Sequence, residues 1–483
     1  MAVLIGIDIG TTAIKAVMTG PKGERLSDMA RAYPTARPKA GWAEQDPQDW
    51  LELVLEALAQ FAAHPRAGEV AAIGLTSQVN SHVFAGADFA ALYPAINWQD
   101  GRSAPQAQAL DSQLDTAAKI AALGAPMPID ASHALSRMAW MAAEEPAIWA
   151  ATAHVMAPKD WVLAQLTGVA LADPVSSVGL VGTDGCYAQA VTDLLPRSGD
   201  VLPPLADPLT LAAPVRAGLP FAGVPVCLGM MDAWAAMFGV GVAAEGQAMN
   251  LSGTSDVMGL ISATRHDVAG AISFAPWRGI RLHAAPISAG GAALDWVARL
   301  AGRSPSDAAE LAATVALTAQ SPLFLPHLSG ERAPLWDAQA RGTFAGLTQA
   351  HGAADMVRAV MEGVTFAARL ALDCLEDTGG LRPAQVQAGG GGTGSDLWCQ
   401  MRADAFGRPL KRMVARDAGA VGAAVMAGVA AGVVPDLVTA TAELVRVDRV
   451  FTPDPDAQAL ADRRYAIWRD LYTQIRPINA ALA

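Results

Sequence analysis

The chain opens on an aliphatic run, Val3 to Asp8, that ends in an acid, turns at Gly10-Thr11-Thr12 and resumes extended patterning from Ile14 to Met18. Two short apolar runs joined by such a turn predict a β-hairpin. From Trp50 to Ala63 the apolar residues Leu51, Val54, Leu55, Leu58 and Phe61 recur at helical spacing instead, and Asp46-Pro47 supplies a helix start. Val70 to Leu75 predicts a buried strand, which runs into a polar strand end, Thr76 to Asn80. Strand-like and helical runs alternate to about residue 242. Met249 to Ile261 then repeats the opening: an apolar run, a Gly253-Thr254-Ser255 turn and a second apolar run. The alternation predicts an α/β fold. The repeat predicts a duplicated unit, with domains at 1–242 and 243–483 and a ligand cleft between them.

One segment tests the membrane question. Ala418 to Val434 carries no charge over 17 residues, near the lower limit for a spanning helix. Its bulk is Ala and Gly, and it lies between Asp417 and Pro435, so it predicts a buried helix that approaches a sheet or a ligand closely. Hydrophobic residues at 52% and charged residues at 17% describe a globular chain. The net charge of −12 argues against a nucleic-acid surface, which needs clustered Lys and Arg, but leaves room for a small phosphorylated ligand held by backbone amides and a divalent ion. Cys186, Cys227, Cys374 and Cys399 are widely spaced, which suggests neither zinc nor a disulfide framework but buried thiols in a reducing compartment. The N-terminus lacks a basic region and its apolar run stops at Asp8, so no secretory signal is read and a cytoplasmic location is expected.

Several chemistries drop out. None of the lysines follows a glycine, so there is no P-loop, and no GxSxG elbow or paired-histidine spacing occurs. Gly389, Gly391 and Gly394 satisfy GxGxxG formally, a weak dinucleotide signal inside a polyglycine stretch. What remains is a set of glycine turns joined to isolated acids: Asp8 before Gly10-Thr11-Thr12, Asp232 in GMMDAW, and Gly253-Thr254-Ser255. Phosphoryl transfer uses this inventory, with amides and hydroxyls cradling phosphate, one carboxylate near the metal and another accepting the proton of the attacking hydroxyl. Asp232 follows a strand-like run, Pro225 to Gly229, and precedes a helical start, which makes it the candidate base; a helix N-cap is the competing reading.

These residues carry a family resemblance. GIDIGTT (Gly6 to Thr12), WAEQDPQDW (Trp42 to Trp50), PAINWQDGR (Pro94 to Arg102), GMMDAWAAMFGVG (Gly229 to Gly241), SGTS (Ser252 to Ser255), FLPHLSGERAP (Phe324 to Pro334) and GGGTGSDLWCQMRAD (Gly390 to Asp404) occur in an order that resembles the FGGY carbohydrate kinases, and among them the xylulokinases. The resemblance implies two duplicated ribonuclease H-like domains of the actin and hexokinase type, with ATP and Mg²⁺ as cofactors and a small sugar as partner. It implies that Asp8 lies at the metal–phosphate centre, that Gly10, Thr11 and Thr12 form the first phosphate loop and Gly253, Thr254 and Ser255 the second. By the same resemblance Asp232 is the base, Gly390, Gly391 and Gly392 lie under adenine and ribose, and a homodimer is expected.

Sugar recognition departs from the pattern. Xylulokinases usually read Gln-Met-His-Gly after the third strand, and this chain reads Gln78-Val79-Asn80-Ser81. Gln78, Val79, Asn80, Trp98, Asp100 and Arg102, with Asp232, are the expected sugar-binding set, although core packing and a local ion pair would equally explain Trp98 and Arg102. D-xylulose is the expected substrate, with another pentulose, a polyol or a sugar acid as the alternative. An actin-like nucleotide switch and an NAD-dependent oxidoreductase are the readings from other classes.

Overall fold

A computed structural model describes residues 2–414 and 417–482, which divide into two compact units. The first takes in Met1–Gly239 with Asp417–Leu444, the second Val240–Arg416 with Val445–Ala483. The chain therefore does not pass once from one unit to the other near residue 242, as the repeat alone suggests: the Ala/Gly-rich segment returns to the first unit.

In the first unit, strands β1 (Val3–Ile9), β2 (Ala13–Thr19), β3 (Arg25–Ala32), β4 (Val70–Ser77), β5 (Leu211–Pro214) and β6 (Pro225–Met231) form one sheet, ordered β3-β2-β1-β4-β6-β5. The predicted hairpin is β1–β2, antiparallel with Ile9 opposite Ile14. The strands β1, β4 and β6 are parallel, with Asp8 opposite Thr76, Ile9 opposite Ser77 and Ser77 opposite Met231. Asp8, the chain leaving β4 and the residue after β6 thus emerge at one carboxyl edge, where open α/β sheets place their ligands.

Strand alternation sorts β1 between two layers. Val3, Ile5, Ile7 and Ile9 join a core with Trp50, Val54, Leu58 and Phe61 of the helix Pro47–Ala62, whose N-cap Asp46 accepts a bond from Gln48 N. The alternate residues face the helix Ala418–Ala430: a Cβ on Gly6 would stand 1.9 Å from Ala420 O, and one on Gly428 would stand 2.8 Å from a Leu4 methyl. The segment expected to be a buried helix is one. Among the described residues no helix is long and apolar enough to cross a membrane.

The second unit carries β7 (Ala248–Ser252), β8 (Asp256–Ile261), β9 (Ile272–Ser273), β10 (Leu282–Ile287), β11 (Val386–Gly389), β12 (Leu410–Met413) and β13 (Val447–Phe451), ordered β9-β10-β8-β7-β11-β12-β13. Its antiparallel β10-β8-β7 followed by parallel β7-β11-β12 repeats the first unit's β3-β2-β1 followed by β1-β4-β6. The duplication glimpsed in two glycine turns is thus a duplication of sheet topology. Three of the four cysteines are buried as expected; Cys186 is exposed, because it follows the surface turn Gly182 to Gly185.

Candidate active site

Asp8 stands on the face of β1 that meets the helix Ala418–Ala430. Residue 419 is glycine where a Cβ would come within 2.4 Å of Asp8 Oδ2, so the carboxylate lies against the first turn of that helix. Its Oδ1 is buried with no hydrogen-bond partner among the described residues. Burial, reinforced by the charge of Asp232, pushes its pKa up to about 7, against the pull of Lys15. Asp232 is the first residue of the helix Asp232–Gly239, directly after β6, and its Oδ1 accepts from Ala233 N at 2.8 Å. Burial pushes its pKa up to about 6, opposed by these backbone bonds. The bond from Ala233 N comes from the adjacent amide rather than from the second or third amide of the helix, so it is not the bond of an N-cap, and the carboxylate stands at the strand edge as the first residue of the helix.

A carboxylate whose folded pKa exceeds the ordinary 3.8 makes the fold less stable as pH rises from that value through about 7. Asp8→Asn removes this penalty, and it is expected to stabilise the protein at pH ~8 by on the order of 2 kcal/mol, with no gain near pH ~3, where both forms are neutral. Thermal unfolding at the two pH values checks this, and equal shifts at both would count against a raised pKa.

The Gly10-Thr11-Thr12 turn is held by its carbonyls. Tyr33 Oη donates to Gly10 O, Gln45 Nε2 to Thr11 O at 2.7 Å and Tyr33 N to Thr12 O at 3.3 Å, while Trp98 Nε1 donates to Thr11 Oγ1 at 3.0 Å. Gly10 N itself donates to Ala13 O at 3.2 Å, so the groups this turn leaves available for an anion are the Thr11 and Thr12 amides and the hydroxyls. Gln45 also accepts from Gln78 Nε2 at 2.7 Å, and Gln78 Oε1 accepts from Asn97 Nδ2 at 3.1 Å. A buried amide chain thus runs from the polar end of β4 to the Gly10-Thr11-Thr12 turn. Gln45 and Asn97 were not singled out from sequence; they stand inside the quoted WAEQDP and PAINWQDGR strings, but only the fold shows their side chains meeting.

Among the expected sugar-binding residues the structure separates two groups. Val79 and Asn80 are partly exposed, and Asn80 adopts a left-handed φ of 54°, a conformation that Asn tolerates better than most residues. Its Nδ2 donates to Ser132 Oγ at 3.1 Å, and its carbonyl accepts from the buried Arg137. Trp98 is 40% exposed. Asp100 and Arg102, by contrast, are spent on each other: Arg102 Nη2 reaches Asp100 Oδ2 at 2.7 Å, Nη1 reaches Glu44 at 2.8 Å, and the guanidinium lies 3.6 Å from the Trp42 ring centre. Both are buried, and of the readings open for Arg102 this geometry is that of the core ion pair. Lys159 and Asp160 form a buried cluster with Asp173.

In the second unit Gly253-Thr254-Ser255 joins β7 to β8, and the helix Gly291–Leu300 docks onto it through Gly291 N to Gly253 O at 2.8 Å and Ala292 N to Thr254 O at 3.0 Å. Beneath the turn, Asp256 accepts from Ser252 Oγ at 2.8 Å and from Arg402 Nη2 at 2.9 Å, a buried brace that sequence reasoning missed because Arg402 lies far along the chain. Gly390, at φ 91°, and Gly392 lie on the hairpin base, where their Cβ atoms would stand 2.4 Å from Ser252 O and 2.1 Å from Ser252 Oγ. Gly390 and Gly392 are thus required by close approach, whereas a Cβ at Gly391 or Gly394 would meet nothing within 4 Å. The glycine run is followed by the helix Asp396–Phe406 and the parallel strand β12, a β-turn-α-β path that explains the formal dinucleotide match.

Beside this turn lies a cleft of about 620 Å³, lined by Gly391, Gly392, Ser395 and Trp398 and, opposite, by Pro305 and Ala309. Its size suits a nucleoside. The second unit thus offers a cleft of about 620 Å³ whose Gly392 wall packs on Ser252, at the base of a hydroxyl-bearing turn. The first offers two carboxylates of raised pKa beside a second such turn and a polar strand end.

Comparison with known proteins agrees with this inventory. Residues 3–239 match the N-terminal domain of the FGGY family of carbohydrate kinases and residues 248–431 its C-terminal domain. The chain is 31% identical to the xylulose kinase of Escherichia coli strain K12, covering 99% of this chain and 100% of that one. A ligand-bound xylulose kinase from Lactobacillus acidophilus superposes with a TM-score of 0.88 at 25% identity over 100% of both chains. A gluconate kinase from the same organism gives the same TM-score of 0.88, identity of 25% and coverage of 100% of both chains. With both family domains matched in order, on sheets whose duplicated topology ends in paired hydroxyl-bearing hairpins, the chain belongs to the FGGY family of carbohydrate kinases and is an ATP-dependent sugar kinase.

Proposed function

We propose that this kinase phosphorylates a ketopentose, D-xylulose, to D-xylulose 5-phosphate, with Asp232 as the base. The observation that carries the reading is the carboxyl edge of the first sheet, where Asp8, the Gln78 to Asn80 strand end and Asp232 emerge from adjacent parallel strands. The relatives named as xylulose kinases support the choice of sugar.

Asp232 orients the attacking hydroxyl and takes its proton late, since phosphoryl transfer is largely dissociative. A pKa of about 6 keeps it mostly ionised at neutral pH while making it a stronger base than an ordinary carboxylate. Gly10, Thr11 and Thr12 are one phosphate-binding turn and Gly253, Thr254 and Ser255 a second, and Gly390 to Gly392 support adenine and ribose. The orphaned Oδ1 of Asp8 fits a cation, and Asp8 is the residue that would hold Mg²⁺, which when bound neutralises charge on the phosphates. Asn80 presents its carboxamide where the xylulokinase pattern has histidine, and Trp98 offers an exposed ring edge tied to Thr11.

Sugar-dependent ADP release by the full chain, measured with D-xylulose, D-ribulose, glycerol and D-gluconate, tests the assignment. D-xylulose is expected to give the highest kcat/KM. A higher value with gluconate, which the likeness to a gluconate kinase makes the second reading, would replace the substrate and leave the chemistry. Sugar-independent ADP release would favour the nucleotide switch. Asn80→Ala is expected to raise the KM for the sugar about tenfold while leaving the KM for ATP within twofold, the loss of roughly one good hydrogen bond to substrate. Equal kinetics in variant and wild type would remove Asn80 from the sugar site.

A further inference from the structure

The second unit holds another cavity, of about 350 Å³, that the transfer chemistry leaves unused. It lies among the helices Ala353–Gly379, Asp396–Phe406 and Pro455–Leu482, and Leu317, Phe366, Met401 and Leu460 make much of its wall apolar. Its carboxylates are already committed or open to solvent. Glu362 takes Arg464 through bonds of 2.7 and 2.6 Å, Asp404 accepts from Gln400 and from Asp454 N at 2.8 Å each, and Asp456 is exposed. Arg358 is different. Its Nε is buried with no partner among the described residues, and its one bond is a long one, Nη1 to Ala312 O at 3.4 Å.

The cavity shares a helix with the nucleotide cleft. Met401 and Ala405 line the cavity, while Trp398, from the same helix, lines the cleft and Arg402 braces the Gly253-Thr254-Ser255 hairpin through Ser252 and Asp256. Trp398 Nε1 donates to Thr365 Oγ1 at 3.1 Å, and Thr365 is itself a wall of the cavity.

We propose that this cavity is a second ligand site, for a small carboxylate with an apolar body, and that its occupancy tightens nucleotide binding. Arg358 feels the charges of Glu362 and Asp404 but is hydrogen-bonded to neither among the described residues, so a ligand carboxylate supplies the charge-assisted acceptor that its guanidinium lacks, and the volume lies in the range of small-molecule sites. A body packed on Phe366 and Met401 orders the helix Asp396–Phe406, so a nucleotide arriving at Trp398 has less ordering left to supply. By linkage the effect is reciprocal: nucleotide tightens the carboxylate by the same factor. The proposal rests on the nucleotide reading of the second unit and holds whichever sugar is the acceptor.

Benzoate is the probe. Ligand-observed NMR on the full chain is expected to report benzoate binding at about 10 mM or below, with benzyl alcohol, its neutral counterpart, at least about tenfold weaker. Benzoate is expected to lower the KM for ATP about two- to fivefold and leave the KM for the sugar unchanged. Arg358→Gln removes the cation, and Ala461→Phe fills the space. Both are expected to lose benzoate binding while keeping the melting temperature and, without benzoate, the KM for ATP. Absence of benzoate contact with the wild-type chain overturns the site, as does undiminished contact in either folded variant. Binding that leaves the KM for ATP unmoved overturns the coupling. The NMR readout needs no sugar, so failure of the D-xylulose assignment and failure of this site are seen separately.

Discussion

Asp232→Ala is expected to lower kcat for sugar phosphorylation by about a thousandfold or more, with the KM for ATP changed less than about threefold. Two contributions are lost together: the orientation of the hydroxyl toward the transferred phosphoryl group, and the late acceptance of its proton. Positioning accounts for most of the effect, because a largely dissociative transition state leaves the nucleophile poorly activated in any case. Asp232→Asn separates the two. It keeps a hydrogen-bond acceptor in nearly the same place, so it is expected to retain more activity than alanine while losing the acidic limb of the pH profile. In the wild-type chain that limb should titrate near pH 6, because burial raises the carboxyl to about 6 and protonation below that value removes the acceptor. Steady-state kinetics from pH ~5 to ~8 on the three chains decides it, and wild-type turnover in the alanine variant would remove Asp232 from the chemistry.

Gly422→Ala is expected to destabilise the protein by about 3 to 4 kcal/mol, although alanine is the better helix former by about 1 kcal/mol. A Cβ at residue 422 would stand 1.7 Å from Ala235 O, and one at Gly239 would stand 1.8 Å from Ala418 O. The helices Ala418–Ala430 and Asp232–Gly239 therefore meet backbone to backbone, and neither carbonyl can move as a side-chain tip could. Because Asp232 begins the second of these helices, the substitution also displaces the proposed base, so activity should fall in whatever fraction remains folded. Gly68→Ala is the control, since a Cβ there meets nothing within 4 Å. Urea unfolding of both variants measures the difference; similar midpoints would mean that the helices can separate without loss.

The hairpins at residues 10 and 253 were legible because a two-residue period broken by Gly-Thr is a local signal, and local signals survive whatever the rest of the chain does. The same holds for the helix after Asp46-Pro47 and for Asp232 at a strand-to-helix junction. The residues expected to bind sugar divide in the structure. Asn80 and Trp98 remain partly exposed, whereas Asp100 and Arg102, beside Trp98 in one string, are turned into the core by Glu44 and Trp42. No pattern of residue types distinguishes a guanidinium that waits for a ligand from one already paired, because the partner comes from a different segment. Gln45 and Arg402 escaped notice for the same reason.

By itself the sequence determined the class of fold, the duplicated hairpins, the acids that follow strands and the family to which they belong, since each depends on neighbours in the chain. Tertiary structure alone decided that residues 417–444 return to the first unit, that a glycine at 419 opens the space beside Asp8, and that burial shared by Asp8 and Asp232 lifts both carboxyls toward neutrality. Those outcomes depend on backbone contacts between distant segments and on the exclusion of water, neither of which is written in local periodicity.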